Sequence, residues 1–182
     1  MKTVYLGLGS NLGDREKMLQ AAIDGLHAAD VRMKRISSVY ETEPRERRNQ
    51  RWFLNLVAEA ETDLFPRQLL GRIARIEQQL GRRRISVNGP RTIDIDILFY
   101  GGFVVETTEL TIPHPRFAER RFVLAPMVEL APELRDPVSR RTMRELLPAT
   151  AGQAIRKVVF RPVIPEKNLY RGSSAMPSTN SQ

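Results

Sequence analysis

The chain of 182 residues contains no cysteine, which excludes disulfides and thiolate metal sites. Its two histidines, His27 and His114, are too few for a histidine-based zinc cluster. Any resident metal must therefore be held by oxygen, which favours magnesium. No apolar run approaches the ~18 residues that a bilayer span needs. The opening Met1-Lys2-Thr3-Val4 reads as the approach to a strand, not as a signal-peptide core. We therefore expect a cytoplasmic monomer with no membrane partner. The sequence holds no internal repeat, and its length suits one domain with a sizeable core. Acid is in deficit: 21 Asp and Glu against 29 Lys and Arg leave a net charge of +8. Such a charge draws polyanions, either nucleic acid or a small phosphorylated ligand, without choosing between them.

Against that deficit, two acids stand close together in Asn88-Gly89-Pro90-Arg91-Thr92-Ile93-Asp94-Ile95-Asp96-Ile97-Leu98. The alternation predicts a strand, and its period of two puts Asp94 and Asp96 on one face, about 6 to 7 Å apart at Cα. Ile93, Ile95, Ile97 and Phe99 are expected on the other face. At an effective dielectric of about 20, carboxylates 6 Å apart repel by nearly 3 kcal/mol, so a divalent cation between them relieves the pair. Arginines gather in three loop-like stretches, residues 45–51, 82–91 and 116–121, of which one immediately precedes this strand.

Residues 3–8 read as a buried first strand and 9–14 as a turn. An amphipathic helix follows over 15–29, with Met18, Leu19, Ala22, Ile23 and Leu26 as its stripe. Residues 31–43 have the character of a second strand. Residues 53–62 read as a third, with Leu54, Leu56, Ala58 and Ala60 on one side and Phe53, Asn55, Val57 and Glu59 on the other. Pro66 opens a second helix carrying Leu69, Leu70, Ile73, Ile76 and Leu80, and Gly81 closes it. The acidic strand is next, then a turn at Tyr100-Gly101-Gly102, a short strand over 103–106 and a helix over 123–130. The order predicts an α+β fold, a ferredoxin-like β-α-β-β-α-β core with an antiparallel sheet and additional helices. One domain over 1–164 and a disordered tail over 165–182, rich in Ser, Pro and Asn, complete the expectation. Gly7-Leu8-Gly9 with Gly13 has the wrong spacing for a dinucleotide loop and reads as support for the first strand. Trp52 reads as a loop aromatic beside the pocket.

Separated segments carry a resemblance. Leu8-Gly9-Ser10-Asn11-Leu12-Gly13-Asp14, Ser38-Val39-Tyr40-Glu41-Thr42-Glu43-Pro44, Phe53-Leu54-Asn55, Arg75-Ile76-Glu77, Gly89 to Asp96, and Pro113-His114-Pro115-Arg116 leading to Phe122-Val123-Leu124 occur in one order. Together they resemble the 6-hydroxymethyl-7,8-dihydropterin pyrophosphokinases of folate biosynthesis. The resemblance implies an enzyme that transfers pyrophosphate from ATP to the pterin hydroxymethyl and releases AMP, using two Mg2+ ions. It makes Asp94 and Asp96 the metal ligands, and Arg82 and Arg91 join them as catalytic residues. It makes Thr42, Pro44, Phe53, Asn55 and Phe122 pterin contacts, with the two rings stacking on the bicycle. It assigns Glu77, Arg82, Arg84, Arg91, His114 and Arg120 to ATP, where guanidinium forks suit phosphate oxygens. The chain departs from several family members at Ile85 and Asn88, where they carry lysine and tryptophan.

A ferredoxin-like nucleic-acid module is the competing expectation, since aromatic pairs on sheet strands can stack bases. The acid pair and the missing aromatic ladder of such modules argue against it. A protein that binds pterin or ATP without turnover is a third. The expected partners are thus the two small substrates and not nucleic acid.

Overall fold

Residues 53–62 alternate small or aliphatic side chains with bulkier ones, so the segment can be covered on both faces, and it lies inside the sheet. A computed structural model describes residues 1–43, 51–81 and 92–166. The chain runs β1 (Lys2–Ser10), α1 (Arg15–Ala28), β2 (Val31–Ile36), β3 (Tyr40–Thr42), β4 (Phe53–Thr62), α2 (Pro66–Gln79) and β5 (Asp94–Tyr100). It continues through a small hairpin, β6 (Val105–Glu106) and β7 (Thr111–Ile112), then α3 (Arg121–Leu130), α4 (Met143–Leu146) and β8 (Ile155–Lys157). The main sheet has the order β5-β1-β4-β3-β8, and β2 lies beside β3 along the same edge of β4. All its pairings are antiparallel. This is the split β-α-β-β-α-β arrangement read from the sequence, extended by later helices and by β8.

Two helices cover one face. Asp14 caps α1 by accepting from the Lys17 amide at 3.2 Å, and Leu19, Ala22, Ile23 and Leu26 recur at helical spacing and are buried. Pro66 occupies the first turn of α2, where its missing N–H costs nothing, and Gly81 follows the helix with φ of +79°. Leu69, Ile73 and Ile76 of α2 join the α1 stripe over Val4, Leu6, Leu8, Leu54, Leu56, Ala58 and Ala60. Among the described residues, the opposite face is covered toward one end by α3, α4 and the short turn at 117–119, whose Phe117, Val123, Leu124, Met127, Met143 and Leu146 pack on Tyr5, Val57, Leu98 and Phe99.

The structure corrects the sequence in three places. The strand expected over 31–43 is two strands, because the pairing slips from Ile36↔Ala58 to Tyr40↔Asn55. Ser37 fills the break: its amide donates to the Val57 carbonyl at 2.9 Å, and its Oγ accepts from the Val57 amide at 3.0 Å. A hydroxyl replaces one backbone rung, so the bulge leaves no buried amide unsatisfied. Phe99 was expected beside Ile93, Ile95 and Ile97, yet it packs on the opposite face with Leu98. The cause is a second bulge: Leu6 pairs with Ile97 and Tyr5 with Phe99, so Leu98 is the extra residue. Phe99 then meets Phe117 edge-on at 4.8 Å. Third, β8 was not foreseen. Its three residues, Ile155, Arg156 and Lys157, have no strand alternation of their own and are held by pairing with β3. Residues 167–182 of the expected tail lie outside the described residues.

Glu41 fastens this added strand. Its Oε1 accepts from Arg15 at 2.9 Å and its Oε2 accepts from Arg156, which joins α1, β3 and β8 through one carboxylate. The Arg156 hydrogen bonds hold the Glu41 carboxyl below its ordinary value of 4.5, against the opposing effect of burial and with further help from Arg15. A depressed folded-state pKa gives stability that is present above the unfolded value and is lost as pH falls through the folded value. Thermal unfolding followed between pH 6 and 3 should therefore show the native chain losing stability below about pH 4.5. Glu41→Gln should flatten that limb and lower the melting temperature most at neutral pH; parallel curves would remove Glu41 from the acid response.

Candidate active site

In an antiparallel pair, residues directly opposite share a face. Gly9 of β1 pairs with Asn55 of β4 on one side and with Asp94 of β5 on the other. Gly7 pairs likewise with Val57 and Asp96. Asn55, Gly9 and Asp94 thus form one row across the sheet, and Asp96 lies one step along it. Thr42 continues the site beyond β4, where β3 pairs it with Phe53. The glycines keep the row low. A Cβ added at Gly9 would stand 2.7 Å from Asn55 Oδ1, so the amide lies across the place a side chain would take. The result is a trough floored by β1, walled by Phe53 and Asn55 on one side and by two carboxylates on the other.

The polar wall is preorganised. Asn55 is buried, and its Nδ2 donates to Thr42 Oγ1 at 2.8 Å. That bond fixes the amide orientation, so one carbonyl oxygen and one remaining N–H are presented in defined directions. Phe53, at the mouth of β4, is partly exposed.

The acidic wall is held from behind. Ser10 Oγ donates to the Thr92 carbonyl, which ties the end of β1 to the approach to β5. Glu77, buried on α2, accepts from the Ile95 amide at 2.8 Å. Ile95 lies between the two aspartates, so Glu77 satisfies a strand-edge N–H and fixes the backbone that carries them. The bulge at Leu98 serves the site as well, because its carbonyl accepts from the His114 amide at 3.0 Å and draws the 113–116 loop against β5.

That contact brings His114 Nε2 to 3.8 Å from Asp96 Oδ2, and Arg120 approaches the same oxygen at 3.9 Å. Burial pushes the His114 imidazole from 6.5 down to about 4, with Arg120 adding to the effect and Asp94 opposing it. The ring is therefore neutral at pH 7. Its Nδ1 accepts from the Arg116 amide at 3.1 Å, which leaves the proton on Nε2, the nitrogen nearest Asp96. His114 and Asp96 are thus an N–H donor beside a carboxylate and not an ion pair. Arg120 also lies 5.7 Å from the centre of the Phe122 ring, so the start of α3 delivers a cation and an aromatic together.

The structure gathers Thr42, Phe53, Asn55, Asp94, Asp96, His114, Arg120 and Phe122 around one trough, and places Glu77 behind its acidic wall. Pro44, Arg82, Arg84 and Arg91, together with the departures at Ile85 and Asn88, lie outside the described residues. The sequence reading missed the floor. Gly7 and Gly9 alternate with Leu6, Leu8 and Ser10, and that period of two could have marked a strand face stripped of side chains.

The donors suit a hard cation. Among the described residues no group of three or more His, Cys, Asp or Glu converges, so two carboxylates are what this wall offers. Mg2+ is bound in that way, by one or two carboxylates with water and substrate phosphates completing its shell.

A sequence model of the family described as 7,8-dihydro-6-hydroxymethylpterin-pyrophosphokinase (HPPK) matches residues 5–132. The 2-amino-4-hydroxy-6-hydroxymethyldihydropteridine pyrophosphokinase of Bacillus subtilis is 44% identical over 143 residues, covering 78% of this chain and 86% of its own. The protein of the same name from Aquifex aeolicus is 42% identical over 148 residues, covering 81% and 92%. The folic acid synthesis protein fol1 of Schizosaccharomyces pombe is 41% identical over 156 residues, which are 85% of this chain and 21% of that protein. This chain thus spans about a fifth of that longer relative and nearly all of the Aquifex one. Among solved structures, a Plasmodium falciparum HPPK-DHPS has the same fold, with a TM-score of 0.66 at 18% identity over 81% of this chain and 44% of that one.

Replacing Gly9 tests the floor. Gly9→Ala should displace the Asn55 amide and break its bond to Thr42, costing about 1–3 kcal/mol in urea unfolding. A stability and Asn55 side-chain NMR signal equal to those of the parent chain would show that the trough tolerates a methyl group.

Proposed function

The chain belongs to the 7,8-dihydro-6-hydroxymethylpterin-pyrophosphokinase family, ATP-dependent diphosphotransferases of folate synthesis, and on that premise we propose how its residues carry the reaction. The hydroxymethyl pterin lies in the glycine-floored trough, its polar edge on Asn55 and Thr42 and its ring between Phe53 and Phe122. The family resemblance assigns Pro44 to the pterin as well. The single observation that carries this reading is the row Asn55, Gly9, Asp94 on one sheet face. Two strand spacings, about 10 Å, separate the amide from the acid, which is the reach of a bicycle bearing a hydroxymethyl arm.

The reaction forms a bond from the hydroxymethyl oxygen to the β-phosphorus of ATP, releases the hydroxyl proton to solvent, and breaks the bond from that phosphorus to the oxygen bridging the α and β positions, so AMP leaves carrying that oxygen. Such a transfer needs little covalent help and much positioning and charge neutralisation. Asp94 and Asp96 would hold two Mg2+ ions, which would supply neutralisation of phosphate charge and polarisation of the hydroxyl. His114 directs its Nε2–H, and Arg120 its guanidinium, toward the phosphates beside Asp96. Arg82, Arg84 and Arg91 supply further forks to the triphosphate, and Arg82 and Arg91 act on the transferred group. Glu77 serves the nucleotide side by holding β5. A catalytic domain over 1–164 acts in the cytoplasm as a monomer, with 165–182 as a tail. Among the described residues no helix is long and apolar enough to cross a membrane.

Pterin- and magnesium-dependent release of AMP from ATP is the direct assay, and its absence would remove this reading. Asp94→Ala and Asp96→Ala should each lower kcat at least about 10³-fold, roughly 4 kcal/mol, with the melting temperature kept. Near-parental turnover at saturating magnesium would refute the metal assignment. Asn55→Ala should raise the pterin KM by about 5- to 150-fold, corresponding to about 1–3 kcal/mol for a buried amide partner lost, and leave the KM for ATP unchanged.

A further inference from the structure

The sheet carries a second concavity on its other side, behind the pterin wall. Trp52 immediately precedes Phe53 and Glu41 immediately precedes Thr42, and strand alternation turns each away from the trough. With Arg15 at the start of α1, Arg51 before β4 and Arg156 on β8, they line a cavity of about 380 Å³. The cavity is broad-mouthed, and its volume reaches the lower end of the range of small-molecule sites. Three guanidiniums and one carboxylate give the lining a charge of +2.

The guanidiniums are set in place. Arg15 donates to Glu41 at 2.9 Å and to the Trp52 carbonyl at 2.7 Å, both through one terminal nitrogen. Arg156 donates to the other oxygen of Glu41 and lies 5.9 Å from the centre of the Trp52 ring. Arg51 reaches the Gly13 carbonyl at 3.4 Å. Each guanidinium has five N–H donors, so these bonds fix its position and use only part of its capacity. Trp52, read from sequence as an aromatic beside the pterin pocket, faces this cavity instead and is 41% exposed. An indole so exposed, next to guanidiniums already ordered, forms a surface on which a flat ring can stack while its anionic group meets the arginines.

We propose that this cavity is a second ligand site, distinct from the active site, that takes a small planar aromatic molecule bearing a phosphate or carboxylate. The assignment is independent of the catalytic reading, since the proposed reaction uses none of these five residues.

Trp52 is the chain's one tryptophan, so its fluorescence reports on the cavity directly. Phenyl phosphate, benzoate and inorganic phosphate are titrated into the full chain held at saturating Mg2+ and non-hydrolysable ATP analogue. A saturable change with phenyl phosphate or benzoate, tighter than with inorganic phosphate, is expected to persist under nucleotide. It should weaken about tenfold or more in Arg51→Ala and in Arg156→Ala and stay unchanged in Arg67→Ala, a distant surface replacement. Arg51 lies outside the regular elements, so its variant keeps the test open should Arg156→Ala unseat β8. No saturable change, loss of the change under nucleotide, equal binding by inorganic phosphate, or an unaltered affinity in both arginine variants would each overturn the site.

Discussion

Register is the constraint on which the site depends. β1 is paired on both sides, with β4 and with β5, and Gly9 falls opposite Asn55 in one ladder and opposite Asp94 in the other. A slip of one residue in either ladder would send the amide or the acids into the apolar layer under α1 and α2. That layer enforces the register. Leu6 and Leu8 of β1, Leu54 and Leu56 of β4, and Ile95 and Ile97 of β5 are all buried against the two helices, so a slip would expose aliphatic side chains and bury charged ones. Stability on one face thereby fixes chemistry on the other, and Glu77 links the two by reaching from α2 to the backbone between the aspartates.

The acidic wall shows the same economy. Two carboxylates on one strand face repel each other, and the chain surrounds them with positive groups and backbone restraints instead of separating them. Glu77 fixes the backbone between them, the Leu98 carbonyl anchors the His114 loop, and Arg120 stands beside Asp96. His114 contributes no charge of its own, because burial keeps the ring neutral. Net charge at this wall is therefore set by the carboxylates, the arginines and whatever cation or phosphate arrives. A chain with an overall excess of base thus keeps a pair of carboxylates at this wall, which argues against a nucleic-acid surface in the trough.

Much of this was legible in the sequence because period-two and period-3.6 patterns survive folding intact. The faces of β4, the stripes of α1 and α2, and the placement of Asp94 and Asp96 follow from alternation alone. The failures are at bulges. Nothing in Tyr5 or Leu98 announces the extra residue that turns Phe99 over, since a bulge is set by the packing of both strands and not by either sequence. The break at Ser37 had a local signal, two adjacent serines able to stand in for backbone groups, but that signal is shared with ordinary turns. β8 was invisible because its order comes from β3 and Glu41. The glycine floor was hidden because residues 9–14 read as a turn, whereas β1 runs on through Gly9 and Ser10 and makes Gly7 and Gly9 alternate positions on one strand face.

The sheet's two borders have a further consequence for the protein in a crowded solution. On the β5 border, backbone groups are occupied from outside by Glu77 and by His114. On the other border, β8 shields β3, and β2 presents Arg32, Lys34 and Arg35 along its length. A neighbouring copy approaching the β5 rim would find the Ile95 amide and the Leu98 carbonyl already engaged, and one approaching β2 would meet long charged side chains paired with Glu59 and Glu61, which discourages strand-by-strand growth into fibrils.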